Sequence, residues 1–416
     1  MRDLIAKGIL PEGKEAETID EIIREENIIN FTKTIEAGSQ KGDNYLGGIY
    51  RIIIKGIDSI TKEPRELYLI LKCSARGGEF RESFPHNIVF QHECYMYNEY
   101  LPKLYDIQKK YGIENGLKNV AKLYKYSTVD MDEFIVLEDM KQKGFVMLNR
   151  QECLDLQHCK FVLRQLAYLH GLGFVFKHKN QQEFQKMTEH LVSPFQHMDR
   201  PEFRIFMENV AKKALGTLDE NTNVYKGFVE LQKNLHDTMD QLKIADKEYS
   251  IVVHNDCWNN NFLFKYEDEN DPTKPTNICL IDWQISELHS PVKDLSYFIY
   301  NCTSSELRNS HFNDLLNYYY EQLTQVITDC NCSIDVCYPR TVFDGHVKRF
   351  FKHGIIFALF LMPLFTSDNE EIPDHFSNES RKENENWIAT IKSKNEDVYR
   401  KRMSSIITHA FENNFI

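Results

Sequence analysis

The chain has 416 residues and a formal net charge of −12, with 42% hydrophobic and 27% charged residues. This composition is typical of a globular protein, and the length allows two lobes that each have a hydrophobic core. The acidic balance argues against nucleic acid or an anionic membrane surface as the main partner.

The beginning of the chain, residues 1–8, carries charges and lacks an apolar core, so it does not resemble a secretory signal. The longest apolar run, residues 354–365, is too short to span a membrane and indicates a buried helix. Ten cysteines lie mostly within apolar segments, and without an export signal we expect them to be reduced. These features predict a cytoplasmic protein with no membrane span and no obligate protein partner.

Apolar runs in the first third of the chain predict β-strands, with turn-forming residues between them. One helix, over about residues 88–105, is predicted between the third and the fourth strand. Together they predict a small β-rich lobe with one key helix. The predicted strands cover residues 29–36, 49–57, 66–73, 120–126 and 133–137.

A glycine-containing segment, residues 42–48, falls in the first predicted hairpin. Glycine there would allow the backbone to approach phosphate groups closely, with Asn44 and Gly47 as the candidate contacts. An ordinary turn explains the same residues equally well.

Lys72 and Glu93 are predicted to form a buried ion pair. Lys72 follows the apolar run 67–71, so it would project from the end of a buried strand. Glu93 lies in the predicted helix between apolar neighbours, where an unpaired carboxylate would be costly. Glu99 is the alternative partner of Lys72 on that helix. The other alternative is that Lys72 and Glu93 are both solvated side chains that do not pair.

Residues 138–140 follow a strand that is predicted to be buried, at the junction of the two lobes. Backbone groups of this segment would meet the adenine edge of a nucleotide, and Glu138 and Met140 are the candidate residues there.

The chain after this junction is predicted to be mainly helical. Apolar residues between 156 and 170 recur on one helical face, and Gly171 is predicted to end that helix. A further apolar helix is predicted over about residues 342–361. The first face consists of Leu156, Leu163, Leu166, Ala167 and His170.

The most informative stretch begins at His254. It has the form His-x-Asp-x-x-x-x-Asn, with Asp256 and Asn261, and a later apolar run ends at Asp282. Kinases use this layout to place a base beside a nucleotide and to bind magnesium with two further side chains. The apolar strand pieces that this layout needs are residues 251–253, 262–264 and 278–281.

We predict that Asp256 orients and deprotonates a substrate hydroxyl, and that Asn261 and Asp282 bind Mg²⁺. His254 is predicted to pack and hydrogen-bond within the loop rather than to catalyse. A surface loop with incidental Asp and Asn is the alternative, because both residues are common in turns. The spacing, the flanking strands and the second Asp argue against that alternative.

Two departures from protein kinases favour a small-molecule substrate. Asp294 follows Asp282 by only 12 positions, and no Ala-Pro-Glu follows, so a peptide-binding activation segment has no room. Trp258 stands where serine/threonine kinases carry a lysine. Asp294 is expected to accept backbone hydrogen bonds that brace the catalytic loop, with a surface helix cap as the alternative.

Several motifs carry a resemblance to known families. His254-x-Asp256 with Asn261, Ile281-Asp282-Trp283-Gln284 and Asp294-Leu295 resemble the choline kinase and aminoglycoside phosphotransferase group. A second set resembles the ecdysteroid kinase-like family of arthropods, and the resemblance extends from about Ile29 to the last helices. This set is Gly42-Asp43-Asn44-Tyr45, the strand into Lys72, Phe90-x-x-Glu93, Leu137-Glu138-Asp139-Met140 and Leu169-His170-Gly171.

The predicted elements and this resemblance indicate an α+β, bilobal protein-kinase-like fold. The expected N-lobe covers residues 1–137, the hinge 138–141 and the mainly helical C-lobe 142–416. The family implies ATP-dependent phosphorylation of a small alcohol, such as a steroid hormone hydroxyl or a detoxification product. In such an enzyme Lys72 would clamp the phosphates of ATP and Glu93 would hold Lys72.

Two other functions remain open from the sequence. A choline- or ethanolamine-type kinase would need acidic or aromatic walls, which the 21 Tyr and 27 Phe could supply. A pseudokinase would bind a nucleotide or a hydrophobic ligand without turnover. The complete set of Lys72, Asp256, Asn261 and Asp282 argues against the pseudokinase.

Overall fold

The structure is a computed structural model that describes residues 13–39, 47–74, 85–268, 271–372, 387–391 and 393–416. Within these ranges the chain forms a sheet-rich N-terminal lobe and a mainly helical C-terminal lobe. The α+β, bilobal protein-kinase-like fold that the sequence predicts is therefore confirmed.

The N-terminal lobe is built on a five-stranded sheet of order β1-β2-β3-β5-β4, in which every neighbouring pair is antiparallel. All five predicted strands are present, with bounds that differ from the predicted ones by up to three residues. A helix, α1 (Lys14–Glu25), precedes the sheet and packs against β1 and β4. The strands are β1 (Ile28–Ala37), β2 (Gly47–Asp58), β3 (Pro64–Ser74), β4 (Leu123–Ser127) and β5 (Phe134–Glu138).

The predicted helix of this lobe is confirmed and extends further than expected. It begins as α2 (His86–Tyr95), passes through a π-helical turn (Met96–Tyr100) and continues as α3 (Leu101–Lys110). Val89 and Phe90 of α2 belong to the same hydrophobic core as the C-terminal lobe, whereas β1–β3 have a core of their own. The helix therefore links the sheet to the lobe that carries the catalytic loop.

The chain passes between the lobes after β5. Asp139 caps a 3₁₀ turn (Met140–Lys143) by accepting a hydrogen bond from the backbone of Lys141, and it pairs with Arg51 of β2 at 2.6 Å. The expected lobe boundary at residues 138–141 stays a prediction.

The C-terminal lobe contains two small sheets within a helical body. One sheet pairs β7 with β10, and the other has the order β6-β8-β9. The strands are β6 (Phe145–Met147), β7 (Ile251–Val253), β8 (Phe262–Tyr266), β9 (Pro275–Leu280) and β10 (Glu287–His289). Residues 387–390 form a further helical turn. The helices are α4 (Leu156–Lys179), α5 (Gln181–Thr188), α6 (Phe195–Met198), α7 (Pro201–Leu215), α8 (Asn223–Lys233), α9 (Leu235–Leu242), α10 (Val292–Cys302), α11 (Ser305–Asp329), α12 (Ile334–Cys337), α13 (Arg340–Phe350), α14 (Lys352–Thr366) and α15 (Glu396–Glu412).

The prediction that Gly171 ends a helix is wrong, because α4 continues to Lys179. A Cβ atom at Gly171 would lie 2.8 Å from Cγ1 of Val326 on α11, so the glycine allows two helices to pack closely. The predicted helix over 342–361 is also divided, since α13 and α14 meet at Phe351.

Residues 340–366 are long and apolar enough to cross a membrane by length and composition alone. In the structure 78% of the most apolar window of this stretch is buried. The stretch therefore has the burial of a core helix, which agrees with the expectation from the sequence.

Candidate active site

The predicted catalytic loop and the predicted metal-binding loop lie side by side. The catalytic loop leaves β7, turns through a 3₁₀ segment (Asn259–Asn261) and enters β8, and the β8–β9 hairpin returns the chain to Asp282. The backbone N–H of Ile281 donates to the carbonyl of Asn261 at 3.1 Å. This bond holds the two loops together, so that Asp256, Asn261 and Asp282 face one cleft.

Asp256 is held by two hydrogen-bond donors. Asn261 Nδ2 donates to Asp256 Oδ2 at 2.8 Å, and the hydroxyl of Tyr297 donates to Asp256 Oδ1 at 2.8 Å. Burial, together with the nearby negative charge of Asp282, raises the pKa of Asp256 to about 7. A carboxylate with such a pKa is suited to accept a proton near neutral pH.

The donor set beside Asp256 fits a hard divalent cation. Both amide hydrogens of Asn261 are directed at Asp256, to its carboxylate and to its carbonyl at 2.9 Å, which leaves the amide oxygen of Asn261 as a ligand atom. Asp282 supplies carboxylate oxygens and is 21% exposed. Oxygen ligands from one or two side chains, completed by phosphate oxygens and water, are what Mg²⁺ prefers.

Lys72 lies at the centre of a buried network. Its Nζ atom is 2.7 Å from Glu93 Oε2, 2.7 Å from Asp282 Oδ1 and 3.2 Å from Gln284 Oε1. Burial alone would lower the pKa of Lys72, but the two carboxylates outweigh it and raise the pKa above its usual value. The predicted Lys72–Glu93 ion pair is thus present, whereas the alternative partner Glu99 is exposed.

Asp294 stabilises the catalytic loop through hydrogen bonds to its backbone. It is fully buried and accepts hydrogen bonds from the backbone N–H groups of His254 at 2.8 Å and Asn255 at 2.7 Å. The side chain of His170 contacts it at 3.0 Å, and these partners hold the pKa of Asp294 below its usual value although burial alone would raise it. The predicted backbone contacts are therefore present, and the surface-cap alternative is wrong.

His254 connects the two loops. Its Nε2 atom lies 3.0 Å from the carbonyl oxygen of Ile281, and its ring packs on Trp283 with a centroid distance of 4.6 Å. Burial lowers the pKa of His254 and so favours its neutral form. These contacts are those of a packing residue.

Both loops contain a residue with a left-handed backbone. Asn255 and Asp282 each have a φ of 65°, a conformation that costs free energy for a residue other than glycine. Such residues concentrate at functional sites, where neighbouring contacts enforce them.

The remaining predicted contacts are less well defined. Asn44 lies outside the described residues. Gly47 begins β2, where a Cβ atom would lie 2.0 Å from the carbonyl oxygen of Cys73, so close strand pairing already requires glycine there. Met140 is buried, and Glu138 pairs with Lys143 at 2.8 Å. Roles of these residues in nucleotide binding stay predictions.

Sequence reasoning assigned no contact in the site to three residues. They are Gln284, which contacts Lys72, Tyr297, which contacts Asp256, and His170, which contacts Asp294. For Tyr297 a signal was available, because it follows Asp294 by three positions on α10 and residues at that spacing share a helix face. The contacts of His170 and Gln284 join segments that are distant in sequence, and no spacing rule predicts them.

Comparison with solved structures finds nucleotide complexes of aminoglycoside phosphotransferases, all at low sequence identity. A GDP complex of a mutant of aminoglycoside 2′-phosphotransferase-IIIa has 10% identity and a TM-score of 0.47, with 96% of this chain and 100% of that chain covered. The GDP complex of the wild-type enzyme has 11% identity, a TM-score of 0.47 and coverages of 94% and 99%. A GDP and kanamycin complex of APH(2″)-IIIa has 13% identity, a TM-score of 0.38 and coverages of 82% and 95%.

No curated protein matches the chain. The model of the ecdysteroid kinase-like family matches residues 41–332, which is more than half of the 416 residues. The matched range is shorter than the range over which the sequence resembled the family, because it leaves out the last helices. The chain belongs to the ecdysteroid kinase-like family and is a phosphotransferase that acts on a hydroxyl group of a small molecule.

Proposed function

We propose that this protein transfers the γ-phosphoryl group of ATP to a hydroxyl of a small hydrophobic alcohol, with a steroid-like metabolite or xenobiotic as the acceptor. The observation that carries this proposal is the meeting of Lys72, Asp256, Asn261 and Asp282 in one cleft. These are the groups that phosphoryl transfer requires: a cation for phosphates, a base and two metal ligands.

Asp256 is the base in this proposal. It accepts the proton of the acceptor hydroxyl while the bond from that oxygen to the γ-phosphorus forms. The bond between the γ-phosphorus and the β–γ bridging oxygen breaks, and ADP leaves. The hydrogen bonds from Asn261 and Tyr297 orient the carboxylate before the acceptor arrives, which is the kind of preorganisation that favours the transition state.

Asn261 and Asp282 would hold Mg²⁺, which when bound supplies positive charge between the β- and γ-phosphates. Lys72 now contacts Asp282 directly. We propose that Lys72 turns from Asp282 to the phosphates when MgATP binds, and that Glu93 keeps its ammonium group in the cleft during this exchange. Glu138 and Met140 would contribute to the adenine end of the cleft.

The steroid-like acceptor and the cytoplasmic location are proposals as well. The family to which the chain belongs supports the first. Ten free cysteines support a reducing compartment and therefore the cytoplasmic location.

The test is Mg²⁺-dependent ATP consumption by the full chain against a panel of small alcohols. The panel contains ecdysteroids and other sterols, choline, ethanolamine and glycosides, and Asp256→Asn is the control. A steroid-dependent rate that disappears in Asp256→Asn supports the proposal. Turnover of choline or ethanolamine alone would contradict the acceptor class, and an unchanged rate in Asp256→Asn would contradict the role of Asp256.

A further inference from the structure

Gln284 follows Asp282 by two positions and has no role in the mechanism above. It is 7% exposed, and its Oε1 atom lies 3.2 Å from Lys72 Nζ. Lys72 also contacts Asp282 at 2.7 Å, so Gln284 and Asp282 share one partner in the cleft. We propose that the side-chain amide of Gln284 donates a hydrogen bond to a phosphate oxygen of ATP; this inference rests on the proposed kinase function.

The contact with Lys72 fixes the orientation of the Gln284 amide. A lysine ammonium group only donates hydrogen bonds, so the amide oxygen of Gln284 faces Lys72 and its NH₂ group is directed away. Nε2 of Gln284 makes no hydrogen bond within the described part of the chain. Two N–H donors beside Lys72 are therefore available to a ligand, and phosphate oxygens are strong hydrogen-bond acceptors.

The turn that carries Gln284 is held in place on both sides. The backbone N–H of Ser286 donates to the carbonyl of Trp283 at 3.2 Å, which closes a tight turn with Gln284 at its second position. Trp283 is fully buried, and Asn255 Nδ2 of the catalytic loop donates to the carbonyl of Ile285 at 3.3 Å. The amide is therefore positioned before the nucleotide arrives, which lowers the entropic cost of binding.

A neutral donor suits this position because Lys72 already lies between two carboxylates. Glu93 and Asp282 each contact Lys72 Nζ at 2.7 Å. A third carboxylate would add negative charge beside the phosphates, which repel it. The amide of Gln284 instead provides hydrogen-bond donors without a charge.

The catalytic loop supplies no cation at the position where serine/threonine kinases carry a lysine. Trp258 occupies that position, and its ring stacks on Phe365 of α14 with a centroid distance of 4.7 Å and an interplanar angle of 9°. Side-chain donors for the phosphates must therefore come from other segments. Gln284 lies on one of them, the loop that carries Asp282.

The test is binding of MgATP and of adenosine to the full chain without an acceptor, measured by calorimetry. Gln284→Met removes both the donor and the acceptor of the side chain. Gln284→Glu keeps an acceptor for Lys72 but replaces the donor with a negatively charged oxygen. Gln182→Met and Gln182→Glu are the matched controls, because Gln182 is an exposed glutamine on α5. Adenosine lacks phosphates, so its binding reports whether the cleft of each variant is intact.

We expect MgATP to bind Gln284→Met about tenfold more weakly than the wild type, and Gln284→Glu at least as weakly as Gln284→Met. Adenosine binding by every variant, and MgATP binding by the two controls, should stay within about twofold of the wild type.

If Gln284 served only as an acceptor for Lys72, Gln284→Glu would bind MgATP more tightly than Gln284→Met, and this order would overturn the inference. Equal MgATP binding by all variants would overturn it too. An equal loss for adenosine and MgATP would show that Gln284 shapes the cleft as a whole, which also contradicts the inference.

Turnover separates this inference from the proposed function. MgATP binding that depends on Gln284 as expected, with no phosphorylation of any alcohol in the panel, would support the inference and contradict the kinase reaction. Asp256-dependent phosphorylation with an unchanged KM for ATP in both Gln284 variants would overturn the inference and leave the reaction in place. A wild type that does not bind MgATP would contradict both.

Discussion

The cleft that contains Asp256 differs in its use of charge from a cavity of the C-terminal lobe, which is lined by residues of α6, α7, α9, α14 and the β10–α10 region. In the cleft, Lys72 lies between two carboxylates, and the pKa of Asp256 is raised to about 7 by burial and by the charge of Asp282. In the cavity each charged side chain of the wall has a partner of opposite sign, and much of the remaining surface is aromatic.

This difference makes the cleft, rather than the cavity, the part of the lobe that suits charged ligands. Unbalanced charge in the cleft suits phosphates and a metal ion, whose own charges complete the site. The cavity wall offers no such unbalanced charge, because each of its acidic and basic side chains has a partner of opposite sign. Variants of the cleft should therefore lower the rate with every acceptor.

The largest effect is expected for Asp256→Asn. Loss of the base should lower kcat by about 10²–10⁴-fold, while calorimetric binding of the acceptor stays unchanged. The control is Asp314→Asn, because Asp314 is an exposed acid on α11 with 73% exposure. A rate within a factor of two or so of wild type in Asp256→Asn would remove Asp256 from the chemistry.

Asp294→Asn should disturb the cleft, because Asp294 holds the catalytic loop in place by hydrogen bonds. An amide cannot replace a carboxylate that accepts from His254, Asn255 and His170 at once, so we expect a loss of about 3 kcal/mol in the free energy of unfolding together with loss of turnover. Chemical denaturation measures the first quantity. Asp335→Asn is the control, since Asp335 is an exposed acid in the first turn of α12. An equally small loss in the free energy of unfolding in both variants would mean that Asp294 acts only as a helix cap.

The cleft and the cavity also differ in how far the sequence predicts them. Asp256 and Asn261 are five positions apart, and Asp282 ends the next hairpin, so local spacing and short strands are sufficient to bring them together. The Lys72–Glu93 pair was predictable for another reason, since each residue alone would be a buried, uncompensated charge.

The cavity was not predictable in this way. Its wall combines Phe195, Phe357 and other residues from distant segments, whose proximity depends on how the helices pack. The helix end predicted at Gly171 was wrong for the same reason. A glycine that breaks an isolated helix can instead allow close packing, here against α11.

Glu93→Gln tests how much the cleft depends on its excess of negative charge. Lys72 would keep Asp282 as a partner but lose a charged hydrogen bond of 2.7 Å from Glu93. Such bonds contribute about 1.5–3 kcal/mol, so kcat/KM for ATP should fall about 10–100-fold while the KM for the acceptor stays the same. Glu99→Gln is the matched control on the same helical segment, since Glu99 is exposed. A rise in the acceptor KM instead would show that the Lys72–Glu93 pair also affects acceptor binding.

The smallest effect is expected where the two regions meet, at Tyr297, whose ring lies 4.9 Å from that of Phe357 in the cavity wall. Asp256 must be ionised to act as a base, and its raised pKa means that activity increases as the pH rises toward about 7. The hydroxyl of Tyr297 stabilises the ionised carboxylate, so Tyr297→Phe should raise this pKa and move the acid limb of the kcat profile to higher pH, by up to about one unit. Tyr300→Phe is the control, because Tyr300 is an equally buried tyrosine on α10 whose hydroxyl contacts His409 rather than the loop. An acid limb that stays in place in Tyr297→Phe, or that moves equally in both variants, would mean that Tyr297 does not set the ionisation of the base.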